Sequence, residues 1–400
     1  MQTKNLIILS DFNLFYGIEA GVSRMNNYAK AITRSEMVNV YLVSSLNFRE
    51  KEEMIQCGEG IYTSVEKKNV IESKGFRRVW DNFVFAIKVK RWLKKLNNDA
   101  VVLLYPSANS SFEFFLVLLL KILSSHKLFC EINEVRKTAS FLNIFSFSST
   151  IRWFTKYLSF TINELFWSFY DGLVCISSNI ESYARKYNKN TIIVPILSDF
   201  DGQKFTFNPP KNGFVILFTG WIFLKKENLI EFLLALVELN KLHSEWIFNL
   251  CGNIQLADKK NLDEFIINHK IDSKVHYLGV VSHIEAIEMQ RNASLLVLPR
   301  DNQKQNYYGF STKLSEYAVS GTPILMTDTG VVSDFFSDNF NCYMVDGYSH
   351  QGFYNKLLTA FSAESSEHER IARNAYNTAH KSFAYFRYTE VLNDFFKLKE

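Results

Sequence analysis

The sequence predicts an α/β protein of two Rossmann-like, parallel-sheet domains facing a central cleft. Three observations carry this. Short apolar or β-branched runs alternate with longer segments of helical period, as parallel strands with crossover helices do. The alternation stops once and restarts, which marks a domain boundary. The chain has 400 residues, 47% hydrophobic and 22% charged, with 36 Phe, 16 Gly and 6 Pro. That is enough for two or three cores and excludes disordered or collagenous classes.

In the first half the predicted strands are residues 6–9, 38–43, 101–105, 128–132, 173–176 and 192–194. A polar, Gly- and Pro-bearing stretch, 198–213, follows, and the pattern restarts at 215–219. Further strands are expected at 246–250, 275–278, 295–298, 323–326 and 343–345, with a helix at 229–239. The expected domains are therefore 1–200 and 201–383. The tail, 384–399, reads as one amphipathic helix that needs a partner surface, and 384–400 is assigned to the first domain. Open parallel sheets bind ligands outside the carboxyl ends of their strands, so the search for a site starts there.

The five cysteines, Cys57, Cys130, Cys175, Cys251 and Cys342, form no C-x-x-C pair and read as buried free thiols in a reducing compartment. The N-terminal apolar run is too short for a secretory signal and reads as the first strand. The longest apolar stretch, 112–123, contains Glu113 and Lys121 and is too short and too charged to cross a bilayer. No fixed-period repeat is found. The eight histidines show no zinc-like spacing, so no metal is expected.

Charge is uneven. The first 200 residues carry 25 Lys and Arg against 18 Asp and Glu, and the remainder 20 against 23. Between Lys67 and Lys95 ten basic residues, Lys67 and Lys68 among them, face only Glu72 and Asp81, interleaved with Phe76, Trp80, Phe83, Phe85 and Trp92. Either a solvated helix face or an anionic membrane surface fits this pattern. A nucleic-acid partner is not expected, because no recognised fold signature accompanies the basic patch.

Three segments can carry chemistry. The first strand leads through Asp11 to Gly17-Ile18-Glu19-Ala20-Gly21-Val22-Ser23-Arg24, glycines at a strand-to-helix turn where backbone N–H groups can meet an anion. Thr219-Gly220-Trp221 and then Lys225-Lys226 follow the restart strand, and two lysines there can neutralise a diphosphate. The strongest is Tyr308-Gly309-Phe310-Ser311-Thr312-Lys313-Leu314-Ser315-Glu316. Gly309 allows close backbone approach, and Ser311 or Thr312 can cap a helix whose N-terminus favours phosphate. Glu316, four residues after Thr312, lies on the same helix face one turn on, placed for ribose hydroxyls.

These segments, with Ile176-Ser177-Ser178, Val194-Pro195, Cys251-Gly252-Asn253, Tyr277-Leu278-Gly279 and Leu298-Pro299, resemble in order and spacing the retaining nucleotide-sugar glycosyltransferases of family 4, which have the GT-B fold. The Thr312-Lys313-Leu314-x-Glu316-Tyr317 version is similar to a subgroup of bacterial cell-surface polysaccharide synthesis. The resemblance implies a nucleoside-diphosphate sugar as co-substrate, no tightly bound cofactor, and an acceptor that is a lipid-linked or free oligosaccharide. It implies ribose binding by Glu316, diphosphate contacts near Gly309, Phe310 and Ser311, and phosphate binding by Lys226 or Lys225, with Gly21, Arg24, Gly220 and Thr312 around the donor. Lys226 and Glu134 are the expected catalytic residues, Glu134 or Glu131 reaching the acceptor. Tyr308 stands where that family has its first motif acid, and Trp221 where an arginine is common. An inactive scaffold and a sugar-nucleotide epimerase stay open beside the transferase. The tail would be the closing helix of the fold, and the expected location is the cytoplasm, at the inner membrane face.

Overall fold

The computed structural model describes residues 3–12, 20–35, 38–46, 48, 54–64, 73–96, 100–107, 110–124, 126–138 and 147–398. Gly17, Ile18 and Glu19 of the glycine loop, Lys67, Lys68 and Glu72 of the basic stretch, and Lys399 of the tail lie outside them. The chain forms two compact units, Met1–Leu197 with Tyr385–Glu400, and Ser198–Ala384.

The N-terminal unit is an eight-stranded sheet: β1 (Lys4–Ser10), β2 (Val38–Ser44), β3 (Ile55–Gly58), β4 (Ile61–Thr63), β5 (Val101–Leu104), β6 (Leu128–Ile132), β7 (Gly172–Cys175) and β8 (Thr191–Ile193). Their order is β3-β4-β2-β1-β5-β6-β7-β8, parallel except for β3 against β4. β1 pairs on both edges, Leu6 with Val40 and with Val101. Leu6 to Leu9 are all fully buried, because a central parallel strand is covered on both faces and has no polar side to show. The β3–β4 pair escapes the sequence reading: Ile55, Gln56 and Cys57 are all exposed, so no alternation announces a strand. Cys57 is accordingly an exposed thiol, and the other four cysteines are buried, all five free.

The helices of this unit are α1 (Ala20–Thr33), α2 (Phe76–Leu96), α3 (Ser110–Leu116), running on into a wider turn at Val117–Ile122, α4 (Phe147–Phe166) and α5 (Ser178–Ala184). No helix among the described residues is long and apolar enough to cross a membrane.

The C-terminal unit is a six-stranded, all-parallel sheet: β9 (Phe214–Thr219), β10 (Trp246–Cys251), β11 (Val275–Gly279), β12 (Leu295–Leu298), β13 (Ile324–Thr327) and β14 (Tyr343–Val345), in the order β11-β10-β9-β12-β13-β14. Helices α6 (Leu229–Leu239), α7 (Leu256–Asn268), α8 (His283–Arg291), α9 (Lys304–Tyr308), α10 (Thr312–Ser320), α11 (His350–Ser362) and α12 (Ser365–Ser382) cover it. Its core joins Phe218, Phe232, Trp246, Phe248, Leu250 and Phe353. The strand order reverses between β9 and β12, the place where such sheets open a crevice at their carboxyl edge.

The tail is not the single helix that its apolar spacing predicts. Residues Tyr385–Tyr388 wind as a 3₁₀ turn and α13 (Thr389–Phe395) follows. Tyr385 and Tyr388, three apart, both join the core of the N-terminal unit, and Lys30 of α1 lies 5.7 Å from the Tyr385 ring centre. Phe395 and Phe396 pack on Phe129 with ring centres 5.3 and 5.0 Å away. Gly172 is a glycine for this reason: a Cβ there would come within 2.6 Å of the Phe395 ring.

Candidate donor site

The switch point of the C-terminal unit gathers most of the residues that the sequence singles out. β9 ends at Thr219, and Gly220 turns the chain at φ 108°, a conformation open to glycine. Its N–H donates to the Cys251 carbonyl at 2.8 Å, which ties the turn after β9 to the turn after β10. A Cβ on Gly220 would lie 2.8 Å from the Lys313 Cε, so the glycine lets the loop close over the first turn of α10.

Beneath that loop lies an ion cluster that sequence reasoning missed. Glu227, 1% exposed, accepts from Arg300 through both oxygens, Nε and Nη2 each at 3.0 Å, and from Lys313 Nζ at 2.9 Å. Burial alone would push this carboxyl pKa up, but Arg300 and Lys313 together hold it well below the ordinary range. Lys313 is brought down to about 8, by burial first and with Arg300 adding to it against the pull of Glu227. It also sits 4.8 Å from the Phe218 ring centre. One carboxylate thus serves two cations, and the triad carries a net positive charge in the floor of the site. The signal for it was present: Glu227 directly follows Lys225-Lys226, and Arg300 directly follows a strand and a proline, Leu298-Pro299. Neither position repeats a motif, so only the fold joins them.

The loop after β12 is locked to the loop after β9. Asn306 donates to the Lys226 carbonyl and to the Asp301 carbonyl, both at 3.0 Å. This brings Lys226, half-buried with Nζ 6.0 Å from the Phe223 ring centre, beside the segment 308–312. Lys225 is exposed. Trp221, also exposed, stacks on Phe223 at 5.4 Å with the planes 9° apart. Tyr308 ends α9 half-buried against Tyr307.

Phe310 points into the core, edge-on to Phe335 and Phe383 at 5.7 and 5.5 Å, and so leaves only its backbone for a ligand. Gly309 is extended at ψ 164°, and Thr312 opens α10, half-buried. Ser311 occupies the N-cap position but makes no capping bond, contrary to its expected role. Its Oγ is buried with no partner. A buried hydroxyl without a hydrogen bond is costly, and one at the positive end of a helix is suited to an anionic oxygen.

Glu316 lies one turn into α10. It is open to solvent, yet the protein packed round it desolvates its carboxyl and raises the pKa, His283 and Lys313 opposing. A group both reachable and crowded sits in a hollow, where a ligand is surrounded on several sides.

Gly21, Arg24 and Glu134 belong to the N-terminal unit. Gly21 is the second residue of α1, and a Cβ there would come within 2.7 Å of the Phe12 ring and 3.0 Å of the Tyr105 hydroxyl, so close ring packing requires it. Arg24 corrects the expectation of a diphosphate contact. It is 2% exposed and spends its donors inside the unit: Nε on Glu131, Nη1 on the Pro195 carbonyl at 2.6 Å, Nη2 on the Tyr28 hydroxyl and the Val194 carbonyl at 2.6 and 2.7 Å. Glu131, fully buried by that pairing, is likewise withdrawn from an acceptor. Glu134 stays accessible at the carboxyl edge, paired with Arg136 at 2.9 Å. Asp11 accepts from Arg78 at 3.3 Å and from the Ser107 hydroxyl. No group of three or more His, Cys, Asp or Glu suited to a metal occurs among the described residues.

Residues 199–378 match the family model described as Glycosyl transferases group 1, just under half of the chain. No curated protein sequence matches. Among solved structures, sucrose-phosphate synthase from Thermosynechococcus elongatus aligns with a TM-score of 0.73 at 11% identity over 98% of each chain. A glycosyltransferase from Rickettsia africae aligns at 0.66 and 16% identity over 99% of this chain and all of that one. Anabaena HepE, solved in complex with UDP, aligns at 0.63 and 12% identity over 98% of each. At such identities the likeness is one of architecture: the chain has the two-domain, parallel-sheet fold of the GT-B glycosyltransferases, and its C-terminal unit carries the group 1 match.

Proposed function

We propose that the protein is a retaining glycosyltransferase of the family 4 type, moving a sugar from a nucleoside diphosphate to an acceptor hydroxyl. The observation that carries this reading is the net-positive Glu227–Arg300–Lys313 triad under the start of α10, where Ser311 keeps an unpartnered hydroxyl. In the transfer, the bond from the anomeric carbon to the diphosphate oxygen breaks and its electron pair leaves with the oxygen. The acceptor oxygen bonds the same face of that carbon, and its proton passes to the departing phosphate. Negative charge therefore builds on the diphosphate, and cations and helix N–H groups fixed in advance stabilise it at no cost in reorganisation. Lys226, with Lys225 beside it, neutralises that charge, the backbone of Gly220 and of 309–312 cradles the phosphates, and Glu316 takes the ribose hydroxyls. Tyr308 lies against the donor sugar.

The unit Met1–Leu197 with Tyr385–Glu400 holds the acceptor in this reading, and Ser198–Ala384 the donor. Glu134 contacts the acceptor hydroxyl. Around it, among the described residues, Asp11 pairs with Arg78, Glu131 with Arg24 and Glu134 with Arg136, and carboxylates there suit a hydroxyl-bearing acceptor. The proposed acceptor is a lipid-linked oligosaccharide in bacterial surface polysaccharide synthesis, of lipopolysaccharide or capsule, met on the cytoplasmic side of the inner membrane. No metal is required.

The test is a thermal-shift titration of the protein and of Glu316→Ala with UDP, GDP, ADP and CMP. At a hundred times its dissociation constant a ligand adds about 2.7 kcal/mol of stability. A rise with one nucleotide, lost in Glu316→Ala, is expected and names the base. Absence of any rise would overturn the donor site and favour a scaffold, and conversion of donor without acceptor would favour the epimerase.

A further inference from the structure

Helix α4 is apolar along its outer side. On its inward side Asn163 and Glu164 are 6 and 3% exposed, and with Phe160 and, just beyond the helix, Trp167 they line a small cavity of about 30 Å³ together with Glu113, Glu134 and Arg136. Asn163 keeps its Oδ1 buried without a partner, and Glu164 is paired with Lys137 at 2.6 Å. Its outward side presents large apolar residues beside Lys156: Phe154, Leu158, Ile162 and Leu165 are 58, 48, 41 and 55% exposed, with Phe169 at 44% beyond them. Their spacing of four, four, three and four places them in one stripe along the helix. A helix bathed in water on its outer side has the opposite arrangement.

The apolar surface does not end with α4. Ring contacts run from Phe169 to Phe166 at 6.3 Å, to Phe114 at 5.8 Å, to Phe115 at 5.2 Å, to Phe83 at 5.2 Å and to Trp80 at 5.7 Å, crossing α3 into α2. Trp80 and Phe76 are exposed, and so are Ile122 and Leu123 after α3. The exposed apolar side chains of the unit are thus concentrated on one connected face, which singly scattered surface residues are not.

Charge says what covers this face. Helix α2 carries Phe76, Val79 and Trp80 beside Arg77 and Arg78 in its first turns and ends in Lys88, Lys90, Arg91, Lys94 and Lys95, with Asp81 its one acid. Lys90 Nζ lies 3.5 Å from the Leu123 carbonyl, which sets the cationic end directly beside the exposed Ile122 and Leu123. Apolar and aromatic side chains bordered by cations are the chemistry of the boundary between acyl chains and anionic headgroups.

We propose that the face formed by α4, the α3 exit and α2 docks on an anionic lipid bilayer, its apolar stripe entering the headgroup boundary and the α2 cations holding the lipid phosphates. This deepens the reading of a lipid-linked acceptor and rests on it for its purpose: α4 would then touch lipid with one side and line the cavity next to Glu134 with the other.

Flotation with vesicles of phosphatidylcholine, with and without phosphatidylglycerol, tests it. The protein should float with the anionic vesicles, roughly tenfold less with phosphatidylcholine alone, and the difference should fade in high salt. Phe154→Glu/Leu158→Glu/Leu165→Glu should abolish flotation, and Arg91→Glu/Lys94→Glu should weaken it about tenfold or more. All these positions are exposed, so the unfolding midpoint and the nucleotide shift should stay unchanged. No flotation, or flotation indifferent to both variants, would overturn the proposal. So would a dimer in solution that the triple variant splits without any vesicle binding, which would give the face to a second copy. The nucleotide shift is read in the other unit, so its failure with flotation intact would count against the donor site alone.

Discussion

The two units answer burial of charge in opposite ways. At the carboxyl edge of the N-terminal sheet, among the described residues, Arg24 pairs with Glu131, Arg78 with Asp11 and Arg136 with Glu134. At the corresponding edge of the C-terminal sheet one carboxylate holds two cations. Overall charge runs the other way, since the first 200 residues are the basic ones and the remainder has 20 Lys and Arg against 23 Asp and Glu. Net charge describes the outer surface and what that surface meets. The charge left over inside a crevice describes the ligand, and the Glu227–Arg300–Lys313 triad asks for an anion in the C-terminal unit.

The comparison breaks most sharply at the two buried carboxylates. Glu227→Gln leaves Arg300 and Lys313 buried without their counter-charge, and should cost about 3–5 kcal/mol of stability in denaturant unfolding. Lys313→Met in the same chain should restore part of that loss, because one buried cation goes. Arg24→Met should cost a similar amount by stranding Glu131, and adding Glu131→Leu should recover only a part. The carbonyls of Val194 and Pro195 would still lack their donor. If Glu227→Gln is neutral, the triad is not the buried, coupled unit described.

What the sequence could show of this follows from where each signal resides. Strands such as Val101–Leu104 and Leu295–Leu298 are legible because both faces are buried, so every residue is apolar. The β3–β4 pair was illegible because an exposed edge needs no such pattern. The 3₁₀ turn at Tyr385–Tyr388 reads as helix in the sequence because apolar residues three apart suit either winding. Of the candidate site, the segment 308–316 was visible as a local motif, whereas Arg300 and Glu227 are 73 residues apart and meet only through the order of β9 and β12. Arg24 shows the converse error: an arginine at a helix start reads as an anion contact, and only the fold reveals that two carbonyls 170 and 171 residues away consume it.

A second way to sharpen the contrast is pH. Burial pushes the Glu113 carboxyl in the N-terminal unit up to about 7, against the opposing pull of Arg136 and the Ser107 N–H. The folded form therefore keeps a proton that the unfolded chain gives up from its ordinary value of 4.5 upward. Stability from this group is complete below that value and is lost as pH rises to about 7, by on the order of 3 kcal/mol. Glu227, held low by two cations, acts in reverse: its contribution is complete above the ordinary carboxyl value and is lost as acid protonates it. Glu113→Gln should flatten the decline between pH 4.5 and 7 and leave the acid limb in place, read from unfolding midpoints across pH. An unchanged decline would mean that Glu113 is ionised in the folded protein.

The smallest expected effect separates a ligand site from a mere packing fault. The Ser311 hydroxyl is already without a partner, so Ser311→Ala removes a desolvated group that contributes nothing to the unliganded fold. Thermal stability without nucleotide should stay within about 0.5 kcal/mol of the parent or rise. If the hydroxyl donates to a phosphate oxygen, the same change should weaken nucleotide binding by about 1 kcal/mol, some fivefold, in calorimetric titration. The N-terminal unit offers the control, since Ser177→Ala removes a hydroxyl that does cap a helix, from the Ile180 N–H at 3.2 Å. That change should lower stability by about 1 kcal/mol and leave nucleotide affinity alone. A Ser311→Ala protein that loses stability and keeps its affinity would behave like the control, and the unpartnered hydroxyl would then be a structural group rather than one awaiting a ligand.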